Sequence, residues 1–147
     1  MSWTAITEAL LVTRISGSEL TALRAAALAD GQADPVAPAI AQVTDLVRGY
    51  VAACARNSLG AAGTIPAKLI GPACTLVMAA ICARVPGYAL DEDRRADRRN
   101  AIDLLEQVAA CKFAVEDPDS TEDVISTPTP QMSDPDLHFT RPRQEGI

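Results

Sequence analysis

From residue 36 onward, apolar side chains recur at Val36, Ile40, Val43, Val47, Tyr50 (or Val51) and Cys54, at alternating four- and three-residue intervals. That spacing lays one continuous stripe along about five turns of an α-helix. Asp34-Pro35 supplies its start, a carboxylate N-cap followed by a proline in the first turn, where no N–H is needed. Upstream, Thr7 to Arg14 predicts a short first helix with Leu10 and Leu11 as its apolar contacts and Trp3 just ahead. Ser16-Gly17-Ser18-Glu19 fits a capping box, in which Ser16 accepts from the Glu19 amide and the Glu19 side chain answers back. A second helix follows to about Ala29, burying Leu20, Leu23, Ala27 and Leu28, until Asp30-Gly31 ends it.

The downstream pattern is different. Pro72 to Val85 reads PACTLVMAAICARV, apolar nearly all round, and a helix without a polar face must be surrounded by its own domain or by neighbouring subunits. Pro86-Gly87 stops it. The next helix runs from about Asp91 to Lys112; its first half, DEDRRADRR, is almost all charge, and its second half buries Ala101, Ile102, Leu105, Val108 and Ala109. Together these patterns predict an all-α fold, a small bundle of four to five helices without a sheet. Its core includes Ile40, Val43, Val47, Val51, Leu76, Ile81, Leu105 and Val108.

Composition sharpens the division of the chain. Aromatics make up 3% of the 147 residues while alanine occurs 27 times, so the core is one of small aliphatic groups, which suits closely packed helices better than a sheet sandwich. Residues 1–115 hold eleven basic and eleven acidic side chains; residues 116–147 hold two and eight, so the whole net charge of −6 belongs to the second part. That part also carries prolines at 118, 128, 130, 135 and 142 among Asp, Ser and Thr. It buries too little apolar surface to offset its ordering entropy. The expected organisation is therefore a helical body, 1–115, and an extended acidic, Pro-rich C-terminal arm, 116–147. Within 116–136 there are seven acidic groups and no basic one, and then Leu137, Phe139, Arg141 and Arg143 place two apolar anchors beside two guanidinium groups. Those residue types carry energy when a flexible segment docks on a partner.

The candidate chemistry is sparse. Glycines at 60, 63 and 71 surround Lys68 in LGAAGTIPAKLIGPAC, but a phosphate-cradling loop needs GxxxxGK[ST] after a strand, and here a helix precedes and no Gly-Lys-Ser/Thr occurs. The segment turns the chain, with Gly60 and Gly63 supplying positive φ, Thr64 capping and Pro66 in the first turn of the succeeding segment. Arg94, Arg95, Arg98 and Arg99 alternate with Asp91, Glu92, Asp93 and Asp97 at helical spacing. This is a ladder of opposite charges on a solvated face or at a subunit contact, rather than a nucleic-acid surface, which needs a basic excess. Cys54, Cys74, Cys82 and Cys111 lie far apart and without CxxC spacing, and the only histidine is His138. The cysteines read as small buried hydrophobes of a reducing cytoplasm, with no metal site. No histidine lies in the body and its carboxylates sit mostly at caps or in charge ladders, so the inventory for general acid–base work is poor and no enzyme is expected. No basic leader or membrane-length apolar run is seen, so neither secretion nor membrane insertion is expected.

Asp34-Pro35, the striped helix, and the run GTIPAKL…LVMAAICARV…RRADRRNAIDLLEQVAACKF…VEDP resemble the small helical head–tail connector (adaptor, or neck) proteins of tailed bacteriophages. Those chains show a long helix, a loop reading like G-x-IP-x-x-L and an apolar helix ending in Arg. A charged helix follows, ending A-x-x-x-L-x-x-(I/V)-A-x-G before an extended arm. Ala101, Leu105, Val108 and Ala109 match that ending, while Cys111 stands where glycine is usual. The resemblance covers about residues 34–118. It implies a structural virion protein that forms a ring, commonly of twelve copies, between the portal vertex of the head and the tail or a stopper. DNA then passes through without sequence-specific binding, and no cofactor is held. It implies localisation in the neck of the virion, after a period in the host cytoplasm. Subunit and partner contacts are expected at Ile65, Pro66, Arg95, Arg99, Leu137, Phe139, Arg141 and Arg143. A small helical interaction module, such as a phage or bacterial regulator, shares the composition and is the alternative reading.

Overall fold

The computed structural model describes residues 3–28 and 31–118. In chain order the elements are β1 (Trp3–Thr4), α1 (Glu8–Leu11), α2 (Gly17–Ala27), α3 (Val36–Ala53), β2 (Ile65–Pro66), a 3-10 turn (Ala67–Leu69), α4 (Ile70–Cys82) and α5 (Glu92–Ala109). Five helices thus make up the body, as the periodicity predicts. One correction concerns the sheet: β1 and β2 pair antiparallel, Trp3 opposite Pro66 and Thr4 opposite Ile65. Periodicity does not reveal a two-residue ladder between segments some sixty residues apart, because neither partner spans a full alternation.

The helix starts obey local chemistry. Thr7 caps α1, Ser16 accepts from the Glu19 amide at 3.2 Å, and Asp91 accepts from the Arg94 amide at 2.8 Å. The capping box is only half formed, since the Glu19 carboxylate turns to Arg94 across the bundle. Asp34 accepts from the Val36 amide at 3.1 Å and so serves α3, although Pro35 is the boundary residue. Helix α4 begins earlier than its apolar run suggests, at Ile70, because Gly71 and Pro72 occupy the first turn, whose N–H groups need no intrahelical partner.

Helix α4 sits at the centre, packing against α1, α2, α3 and α5. Its Ala73, Cys74, Leu76, Val77, Ile81 and Cys82 are buried, which answers the demand of an all-apolar helix largely within one chain. On α3 the buried stripe is Val36, Ala39, Val43, Val47 and Val51, with Tyr50 and Ile40 only partly covered. Val51, not Tyr50, therefore continues the stripe. Of the expected core, Val43, Val47, Val51, Leu76, Ile81, Leu105 and Val108 are buried, and Ile40 lies at its edge.

The cysteines require a second correction. Cys74 and Cys82 are free and buried, but Cys54 and Cys111 are joined by a disulfide across Cα atoms 5.3 Å apart. The bond ties the C-terminal ends of α3 and α5. Cys111 has φ +58°, the left-handed conformation for which glycine is favoured. Its amide bonds the Val108 carbonyl at 3.0 Å and the Lys112 amide bonds the Gln107 carbonyl at 2.9 Å, a complete Schellman stop. Cys111 thus takes the conformation that a glycine adopts without strain.

Candidate functional site

The segment between α3 and α4 is held from inside by one side chain. Arg48 projects from α3 and donates to the carbonyls of Gly60 (3.1 Å), Ala61 (2.9 Å) and Thr64 (2.7 Å). Its guanidinium lies 5.8 Å from the centre of the Trp3 ring, a cation–π contact. The Thr64 hydroxyl donates to Ala61 O at 2.7 Å, tightening the same turn rather than capping a helix. Gly63 has φ +77°, but Gly60 is glycine for another reason: a Cβ there would come within 2.7 Å of the Trp3 ring. Trp3 in turn donates its indole N–H to the Glu116 carbonyl at 2.8 Å. One arginine and one indole thus bind together the loop, the N-terminal strand and the stretch at Glu116. Lys68 stands 3.9 Å from Glu116 Oε1, while Glu116 Oε2 is buried without a hydrogen-bond partner.

Ile65 and Pro66 are fully buried, facing the chain's own core through β2. Between Gly60 and Leu69 the exposed residues are Ala61, Ala62, Gly63, Ala67 and Lys68.

The first half of α5 resolves the charge ladder differently from its spacing. Arg94 reaches Glu19 of α2, and that hydrogen-bonded pair holds its guanidinium above its ordinary pKa. Arg94 also donates to the Tyr88 hydroxyl at 3.1 Å and stands 3.9 Å from Asp91. Arg95 donates to the Leu90 carbonyl at 2.9 Å. Arg95, Arg98 and Arg99 are exposed and make no ion pair among the described residues. Beside Arg94 lies a cavity of about 180 Å³, lined also by Arg14, Thr75, Met78, Leu90 and Asp97. Burial pushes the Cys82 and Cys74 thiols up, so neither is an activated nucleophile. Among the described residues no three His, Cys, Asp or Glu side chains converge as a metal site would require.

Leu137, Phe139, Arg141 and Arg143 lie outside the described residues. Sequence reasoning missed Arg48, Trp3 and the Cys54–Cys111 pair. The signal for Arg48 was weak, a lone cation beside the α3 stripe. For the cysteines it was positional, since both close a helix.

A family model described as Bacteriophage Mu, Gp36 matches residues 6–134. No curated protein and no solved structure matched the chain. No helix among the described residues is long and apolar enough to cross a membrane.

Proposed function

The chain belongs to the bacteriophage Mu Gp36 family, and from that premise we propose that it is a structural virion protein whose copies form a head–tail connector ring. The ring joins the portal vertex of the head to the tail or a stopper and lets DNA pass without reading its sequence. Family membership is the observation that carries this reading, because it makes the chain a phage protein over residues 6–134. Its geometry suits the task. The body closes its own core, the α3–α4 loop is clamped rigid by Arg48, and α5 presents Arg95 and Arg99 to solvent. A rigid loop and unpaired charges on a firm helix are what adjacent copies need to pair repeatedly around a ring without ordering flexible groups. Because Ile65 and Pro66 face inward, the loop's contact with a neighbour falls to Ala61, Ala62, Ala67 and Lys68. The chain acts without a cofactor and catalyses no reaction.

The arm completes the proposal. Leu137 and Phe139 enter a groove on a neighbouring copy, the portal or the next tail component, with Arg141 and Arg143 pairing to carboxylates there. Electron microscopy of the purified full chain, alone and mixed with portal, tests the ring. Closed rings that seat on the portal are expected; a monomer or dimer indifferent to portal would instead indicate a helical regulator. Truncation after Asp117 tests the arm, and should abolish head–tail joining while the helical circular dichroism persists.

A further inference from the structure

We infer that Cys54 and Cys111 form a reversible thiol–disulfide exchange site, open to small-molecule thiols and disulfides, that fixes or frees the root of the C-terminal arm. The inference stands apart from ring assembly and from what the arm binds.

The first support is that the two sulfurs meet without needing their bond. Helices α3 and α5 pack on each other, and their Val47, Val51, Leu105 and Val108 lie in the core with no exposed surface. The end of α5 is closed by its own backbone, through the Cys111-to-Val108 and Lys112-to-Gln107 hydrogen bonds. Both cysteines are therefore held in place by groups that reduction leaves intact.

Access is the second support. A cavity of about 240 Å³ is lined by Cys54, Arg56, Asn57, Cys111, Phe113 and Val115, so the pair borders solvent-accessible space instead of closed core. Cys54 is 2% exposed and Cys111 is half-buried. An incoming reagent thus meets Cys111, and Cys54 is placed to resolve the product. Cys74 and Cys82, both buried within α4, stand outside this chemistry.

In the closing direction the Cys111 thiolate attacks a low-molecular-weight disulfide RSSR, forming a mixed disulfide and expelling RS⁻. The Cys54 thiolate then attacks the Cys111 sulfur, forming the protein disulfide and expelling a second RS⁻. Two protein thiols are oxidised, one RSSR is reduced to two RSH, and those take up the two protons. Excess RSH runs the steps backwards.

The consequence lies at residues 112–116. This stretch leaves directly from Cys111, with Phe113 and Val115 packed against the core and Arg56 donating to the Cys111 carbonyl at 3.3 Å. With the bond closed, the arm's departure point is covalently tied to the end of α3. With it open, these contacts, the Lys112 and Phe113 amides on the Gln107 carbonyl and the Trp3 indole on the Glu116 carbonyl still hold it, but without a covalent tie.

The test uses the full chain under native conditions, with dithiothreitol and then glutathione disulfide as probes. Reduction should add two maleimide labels counted in a denaturing quench, mapped to Cys54 and Cys111, leave the helical circular dichroism unchanged, and speed tryptic cleavage after Lys112 at least fivefold. Glutathione disulfide should reverse both the labelling and the faster cleavage. Cys111→Gly, and independently Cys54→Ser, should cleave at the fast rate with or without reductant. No gain of label, loss of helix on reduction, or an unchanged cleavage rate after Lys112 would each overturn the inference.

Discussion

Arg48 shows how much one side chain decides. Its guanidinium fork serves three loop carbonyls and stacks on Trp3, and a planar group with five donors can do this where a lysine ammonium cannot. Arg48→Ala should cost about 2–4 kcal/mol by denaturant unfolding, given ~1.5 kcal/mol or more for each hydrogen bond to a charged group, less what water restores. Arg48→Lys should recover less than half of that. Gly60→Ala tests the same cluster from the other side, because the new methyl must displace the indole; about 1–3 kcal/mol is expected. Val47→Asp puts an unpaired carboxylate where no surface is exposed and should cost several kcal/mol, against a whole-domain stability of roughly 5–15. Of these three residues, only Val47 had a role legible in the sequence, because burial on a stripe is periodic and a clamp is not.

At the scale of elements, the disulfide and the end of α5 form one device. Cross-linking positions 57 residues apart removes loop entropy worth about 4 kcal/mol, while holding a non-glycine residue in the left-handed region costs about 1. Cys111→Gly therefore has opposite effects in the two redox states. It should lower stability by about 3 kcal/mol under oxidising conditions and raise it by about 1 kcal/mol in excess reductant, read as midpoints of urea unfolding. The capping box at Ser16 teaches the same lesson in a smaller way. Its local hydrogen bond forms as the motif demands, but the Glu19 carboxylate is drawn to Arg94 by a long-range pairing that the motif does not encode.

For the whole molecule, the unpaired arginines of α5 carry the assembly prediction. Charge reversal at Arg95 and Arg99 should leave the melting temperature of the subunit nearly unchanged, because exposed charges without an ion-pair partner contribute little and the only bond lost among the described residues is the exposed one from Arg95 to the Leu90 carbonyl. In the proposed ring the same change should shift sedimentation from oligomer to monomer and reduce the yield of joined heads and tails. A variant that still assembles and joins normally would reduce these arginines to solvated surface. Raised ionic strength should weaken the assembly of the native chain in the same direction, since exposed pairs between copies are screened within about 10 Å at 0.1 M salt.

Much of the body was written along the chain. The α3 stripe, the all-apolar α4 and the half-charged α5 follow from local periodicity. So do the starts at Thr7, Ser16 and Asp91, because a helix closes its hydrogen bonds within itself and its buried face repeats every 3.6 residues. Tertiary structure alone decided the rest. It brought Trp3 to Ile65–Pro66 and Glu116, Arg94 to Glu19, Arg48 to the loop carbonyls and Cys54 to Cys111, and it turned Ile65 and Pro66 inward. Each of those is a contact between positions whose spacing in sequence has no period. Such contacts arise from how already formed helices pack, and no local preference of the chain anticipates which side chains that packing leaves face to face.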